Sequence, residues 1–469
     1  MNALVLAVLL SQAPQAGGDM PLAEPGPPKE LVPVTQGGLT AQACAERAGE
    51  PSPAVEVARQ QLQSAAAQVD QAFYSFIPRL SGRAAYTRLS HIDSVSLGNL
   101  LVTQAPAGTV NPPAVAFPLS FPLLENNTSF QATLSVPLSD YVLRITRASS
   151  AAKAAREGAD FSLKAAMAKA KSDAQINFYN WLRAQGAVTV AAQTLDDQKQ
   201  HYADTKVLFD AGAASKADLL RADATVQAAE QSLVRSQAMA HVAEQVLRIS
   251  LRAPQDEQFK VGEALDSPVA APGGTLDQLL TQAGDNRAEL KSVDATLKAL
   301  EHQRAITRAG YLPVISASGT AEYSNPNPRI FPQQDKFTGT WQVGASLTWS
   351  PNDVLVATAQ VDQQSAGIAQ TRAQRQQAAD GIVLETTQAF EDFNSAKASV
   401  ESSQRQLTAS QEAFRVARVL YRNGKSNESQ LIDVETQFIS ARLSLLNAYA
   451  DLKVARVRLD HAIGADVAK

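Results

Sequence analysis

One cysteine, Cys44, stands in 469 residues. It leaves no internal disulfide framework and no thiolate cluster for a metal. The five histidines, His91, His201, His241, His302 and His461, are scattered without a pair at ligand spacing and are read as solvated helix residues. Aromatics are only 6% and charged residues 19%, against roughly 25% charged in an ordinary soluble domain. No basic excess exists either: 42 Lys+Arg face 46 Asp+Glu, a net charge of −4. That balance gives no support to an electrostatic nucleic-acid binder. Gly-rich phosphate loops, HExxH and a supported Ser/His/Asp set are all missing. The composition is not that of a compact enzyme, and no cofactor, metal site or catalytic residue is expected.

What is present begins with an apolar run, Ala3 to Leu10, followed by Ser11-Gln12-Ala13. It is too short to span a bilayer as a helix and fits a signal-peptide core over 1–16, although no Lys or Arg precedes it. Residues 17–38, with Pro21, Pro25, Pro27, Pro28, Gly37 and Gly38, read as an extended tether.

The rest of the chain reads as two copies of one unit, 39–265 and 266–469. A helix ending in Phe76-Ile77-Pro78 leads into an alternating strand, and Tyr311-Leu312-Pro313 does the same. A second alternating strand, Phe130 to Leu138 or Trp341 to Trp349, runs straight into a long helical pattern. Each long helix breaks at a glycine turn, Leu208-Phe209-Asp210-Ala211-Gly212 and Leu420-Tyr421-Arg422-Asn423-Gly424. Strands are expected near 78–90, 128–138, 313–324 and 338–349, and helical hairpins over 140–250 and 353–463. Residues 96–120, with Pro106, Pro112, Pro113 and Pro118, are expected as a long loop.

The strand periodicity is two. Trp341, Val343, Ala345, Leu347 and Trp349 share one face; Thr340, Gln342, Gly344, Ser346 and Thr348 share the other. This suits a transmembrane β-strand, with Phe130, Tyr323, Trp341 and Trp349 at the interfaces, and equally a half-buried strand of a soluble sandwich. The helical partners tip the balance towards the membrane. Patterns over about 140–208 and 353–420 imply on the order of 100 Å of helix. After each turn the seam follows 3-4 spacing, as in Leu431, Val434, Phe438, Ala441, Leu445 and Ala448. Four strands cannot close a barrel of the usual minimum, about eight, and an open sheet in lipid leaves unpaired edges. A membrane sheet of this size must therefore be shared between copies.

The repeated tip motif, Leu-Phe/Tyr-x-x-Gly followed by Leu-Leu/Ile at Leu208–Leu220 and Leu420–Ile432, resembles the TolC-like outer-membrane efflux and secretion channels. The aromatic-Leu/Ile-Pro switch and Leu347-Thr348-Trp349-Ser350-Pro351 carry the same resemblance, which covers about 40–464. It implies a mixed α+β membrane protein in the outer membrane of a Gram-negative bacterium. Three copies would pool four strands each into one transmembrane β-barrel, continued by a helical coiled-coil barrel through the periplasm. Short helices near 39–48 and 275–285 would form a belt with the 251–274 linker. The resemblance further implies a passive exit duct, serving a periplasmic adaptor and an inner-membrane pump in tripartite efflux or type I secretion.

By the same resemblance Asp218 and Asp433 fall on inward carboxylate positions of a periplasmic gate. Plain acids on a solvated helix N-terminus fit the residues as well. Gln430 stands where the second copy would repeat Asp218, and Arg221 where the first would repeat Asp433. Gly212 and Gly424 suit positive-φ turns. Leu208, Leu219, Leu420 and Leu431 are candidates for adaptor contact or for plain turn packing. A different class, a periplasmic coiled-coil adaptor or scaffold without a pore, remains the alternative.

Overall fold

The structure, a computed structural model, describes residues 32–93, 96–103, 108, 110, 114–120 and 124–466. The apolar run and most of the tether lie outside the described residues. Elements follow in the order α1 (Ala41–Ala48), α2 (Pro53–Tyr74), β1 (Arg79–Arg88), β2 (Ser96–Thr103), β3 (Ala114–Ser120), β4 (Asn126–Val136) and a one-turn α3 (Leu138–Asp140). Then come α4 (Thr146–Asp210), α5 (Lys216–Leu251), α6 (Leu276–Asn286), α7 (Ala288–Arg308), β5 (Val314–Asn325), β6 (Thr338–Thr348), α8 (Pro351–Arg422) and α9 (Glu428–Ala462).

Four strands form one antiparallel sheet in the order β1-β4-β5-β6. Its register aligns like with like. Leu80, Leu134, Gly319 and Val343 make one row, and Ser81, Thr133, Thr320 and Gln342 the next. Because the pleat alternates faces, one side carries apolar rows and the other hydroxyls and amides. Among the described residues six strands occur rather than four. β2 and β3 pair as a separate hairpin where a long loop was expected. Leu100-Leu101-Val102 opposite Val115-Ala116-Phe117 supplies the β-favouring side chains that the flanking prolines masked.

The chain leaves the sheet through α3 and a π-turn, Tyr141–Ile145, where Tyr141 stacks on Phe76 at 6.2 Å. Helices α4 and α8, 65 and 72 residues long, each turn back as α5 and α9. The seam read from the sequence is buried at Ala222, Val226, Ala229, Ala441, Leu445 and Ala448. Alanine at these places lets the paired helices approach closely.

The main core sits at the waist, halfway along α4. Phe178, Trp181 and Leu182 pack there with Cys44 of α1, Leu247 and Leu251 of α5, and Leu446 and Ala450 of α9. The end of the tether is laced to this level: Thr35 N donates to Val261 O at 2.7 Å and Leu39 N to Lys260 O at 2.7 Å. Beneath them Glu263 accepts from Tyr179 Oη (3.1 Å), Lys453 Nζ (3.0 Å) and Ala41 N (3.3 Å). Burial pushes the Cys44 thiol up to about 12, so it packs as a small apolar group and is not a nucleophile. Among the described residues no helix is long and apolar enough to cross a membrane.

Candidate functional site

The two glycine turns are built alike. In the first, Gly212 N donates to Phe209 O (2.9 Å) and Ala213 N to Leu208 O (2.8 Å); in the second, Gly424 N donates to Tyr421 O (2.9 Å) and Lys425 N to Leu420 O (2.8 Å). These are the paired bonds of a Schellman ending, which needs a left-handed residue between helix and exit. Gly212 and Gly424 supply it at φ 75° and 66°. Leu208 and Leu420 therefore contribute their carbonyls to the stop signal.

The helices that follow start differently. Ser215 caps α5 reciprocally with Asp218: Asp218 N donates to Ser215 Oγ (3.1 Å), while Ser215 N (3.1 Å) and Oγ (2.6 Å) donate to Asp218 Oδ2. Those bonds hold the Asp218 carboxyl below the usual range, with Arg221 3.8 Å away adding a smaller pull. In the second turn Asn427 Oδ1 accepts from Gln430 N at 2.8 Å, a cap without charge. Asp433 is exposed on the next turn of α9. Neither a hydrogen bond nor an ion pair joins Asp218 to Asp433. Leu431 is packed away at 2% exposure, Leu219 and Leu208 are half-buried and Leu420 is exposed. Val207 and Leu220 are, with Leu420, the exposed large apolar side chains beside the turns.

Sequence reading missed a buried polar cluster just above the turns. His201, taken for a solvated helix residue, lies at 11% side-chain exposure, its Nε2 2.7 Å from Glu428 Oε1. That contact ties α4 to α9. Beside it Thr205 Oγ1 lies 3.4 Å from Tyr421 Oη, and Arg422 Nη2 donates to Asp204 Oδ2 at 2.7 Å, tying α4 to α8. Burial, helped by the hydrogen bond to Glu428, pushes Tyr421 up to about 12. Burial also raises the Glu435 carboxyl, partly offset by His201. No sequence motif announces such a group, because its cross-helix pairs join residues more than two hundred positions apart.

At the other end the expected interface aromatics are all exposed: Phe130, Tyr323, Trp341 and Trp349. Phe130 and Tyr323 are cross-strand partners, and Phe337 joins them, stacked on Tyr323 at 5.2 Å. From Trp341 in β6 to Trp349, one residue past its end, the chain runs about 27 Å along the strand, or about 20 Å of height at a barrel tilt of about 40°, within an outer-membrane apolar band of about 25 Å. The apolar rows between, including Leu80, Leu134, Val343 and Leu347, are uncovered in the single chain. Among the described residues β1 pairs with β4 and β6 with β5, and each leaves its outer edge open. No group of three or more His, Cys, Asp or Glu among the described residues is arranged to hold a metal.

Known proteins share this architecture. Nodulation protein T of Rhizobium leguminosarum bv. viciae is 23% identical over 341 residues, covering 72% of this chain and 70% of its own. The cation efflux system protein CusC of Escherichia coli (strain K12) is 22% identical over 298 residues, 61% of this chain and 62% of its own length. In three dimensions the CusC structure matches 93% of this chain and 97% of its own, at a TM-score of 0.74 and 18% identity. The outer-membrane channel OprN matches 92% and 94%, with a TM-score of 0.72 and 22% identity. The family model "Outer membrane efflux protein" matches residues 45–251 and 279–465, and the chain belongs to that family.

Proposed function

We propose that the chain is one third of an outer-membrane channel-tunnel, a homotrimer that serves as the passive exit duct of a tripartite efflux or type I secretion system. The observation that carries this reading is the four-stranded sheet, apolar on one face and open at both edges, mounted on helices of 65 and 72 residues. In lipid each unpaired N–H and C=O costs several kcal/mol, so the edges must pair with those of other copies. Three copies give twelve strands, an even number sufficient to close. Each half of the chain, as a structural repeat, brings two of the four. The long hairpins then continue the duct into the periplasm, where the turn end meets an adaptor and, through it, an inner-membrane pump. Val207, Leu220 and Leu420 are the open apolar side chains for adaptor contact, with Gly212 and Gly424 shaping the turns. A pore-less scaffold would need a second layer over the apolar sheet face, where Leu80, Leu134, Val343 and Leu347 are exposed, and is the weaker reading.

An acidic gate is proposed at the same end. Around a threefold axis Asp433 would repeat as a ring of exposed carboxylates, with Asp218 a second ring, attracting cations and narrowing the pore. The Ser215–Asp218 cap complicates its test, since Asp218→Ala removes helix stability together with charge. Single-channel conductance in a planar bilayer should therefore compare Asp433→Ala with Ser215→Ala, which loses the cap and keeps the acid. A small cation-preferring conductance that grows in Asp433→Ala and not in Ser215→Ala supports the gate. Conductance unaffected by Asp433→Ala keeps the channel and removes the gate; no conductance from any form removes the channel.

A further inference from the structure

The polar face of the sheet carries an excess of positive charge. Along the paired strands its rows are Arg79-Ser135-Ser318-Gly344, Ser81-Thr133-Thr320-Gln342, Arg83-Gln131-Glu322-Thr340 and Ala85-Ser129-Ser324-Thr338. A third guanidinium arrives from the β5–β6 connection. Arg329 Nη1 donates to Trp341 O at 2.9 Å and its Nη2 to the Gln342 side chain on that face. Asn327 pins the same connection over the face, donating to Thr338 O (2.9 Å) and Thr340 Oγ1 (3.3 Å). Three guanidiniums thus stand against one carboxylate, Glu322. Arg79 and Arg83 are exposed and make no ion pair among the described residues. Glu322 is two strands away from Arg83, about 10 Å at ordinary strand spacing.

We infer that this face is an anion-attracting stretch of the duct, and that Arg79, Arg83 and Arg329 determine its preference for anionic over cationic solutes. The inference rests on the exit-duct reading, in which the apolar face meets lipid and the polar face lines the lumen. Closing the barrel does not neutralise the charge. The free edge of β1 would lie beside β6 of the next copy, whose polar face offers Thr338, Thr340, Gln342, Gly344, Ser346 and Thr348 and no acid. Each protomer contributes the same basic excess, and low-dielectric walls focus its field along the bore. The solute class favoured on this side is the organic anion or amphiphilic acid. A multivalent metal cation is disfavoured, although the chain as a whole is acidic.

The experiment is side-specific block of the purified oligomer in a planar bilayer, using pyrenetetrasulfonate, a tetra-anion, and hexaamminecobalt(III), a trication. Each is added on the side of the β5–β6 connection. In about 0.1 M KCl the tetra-anion should block the wild type about fivefold more tightly than Arg79→Gln/Arg83→Gln, the difference fading near 1 M as the Debye length shrinks. Arg79→Lys/Arg83→Lys should keep the block. Glu322→Gln, which leaves both arginines in place, should tighten it and serves if the double variant fails to assemble. Equal block of wild type and double variant, no tightening in Glu322→Gln, or tighter block by the trication overturns the inference while the channel stands. Absence of conductance from the wild type overturns the exit-duct reading and this inference together.

Discussion

The waist and the turn end are held together by different physics. At the waist, Phe178, Leu182, Leu247 and Leu446 are buried, and a carboxylate there is enclosed by three donors. Near the turns, Schellman carbonyls, caps and the His201–Glu428 contact act beside a smaller apolar burial at Leu431 and Ala222. Apolar contacts are non-directional and cannot be switched singly, whereas bonds between ionisable groups can be broken one at a time. On the proposed gate reading, the turn end is therefore the region whose contacts can be altered one at a time.

The sharpest way to break that contrast is at Phe178. The ring is fully buried and meets Tyr179 at 5.5 Å and Trp181 at 6.0 Å. Phe178→Ala should cost about 3–5 kcal/mol, the range for deleting a buried aromatic. Thermal unfolding followed by helical circular dichroism in detergent should shift down sharply. An unchanged midpoint would mean that the waist is not the main store of stability.

The two regions also differ in how far they were legible. Alternation placed β1, β4, β5 and β6 close to where they lie, because a sheet with one apolar face writes its period into the chain. The 3-4 seam marked the buried line of α5 and α9 for the same reason. Hairpin β2–β3 was lost because proline spacing outweighed a short run of β-favouring residues. His201–Glu428 joins residues 227 apart, and tertiary pairing at that range leaves no local spacing to read. Asp218 was visible but ambiguous: the Ser-x-x-Asp spacing of a capping box and a gate acid look the same in one chain.

A smaller effect is expected at Glu435, where the turn end holds a titratable group against its solvation preference. Its folded pKa is raised, so its contribution to stability is fully present below the ordinary carboxylate range and is lost as pH rises through the raised value. Around it stand Gln198, His201 and Asp197 of α4 and Arg418 of α8; His201, Gln198 and Arg418 oppose the shift and Asp197 adds to it. Glu435→Gln should leave stability near pH 4 unchanged and increase it at pH 8. Melting curves at the two pH values check the sign. A variant weaker at pH 8 would mean that the charged carboxylate is a partner His201 requires.

The smallest effect separates the two turns from each other. Asp218 is held below its usual pKa by Ser215, so its share of the α5 cap is present above the ordinary aspartate value and disappears as pH falls through the depressed one. Asn427, the cap of α9, has no charge to lose. Lowering pH from 6 to below the depressed Asp218 value should therefore weaken the Ser215–Asp218 cap of α5 and leave the Asn427–Gln430 cap bond of α9 in place. Asp218 is half-buried, and solvent screening limits the difference to roughly a few tenths of a kcal/mol. Hydrogen exchange, corrected for its intrinsic pH dependence, should show protection falling at Asp218 N and holding at Gln430 N. Parallel loss at both amides would trace the fraying to the hairpins as a whole. Loss at the first alone would show that Asp218 is a capping acid in its own right, and would leave Asp433 as the carboxylate on which a gate depends.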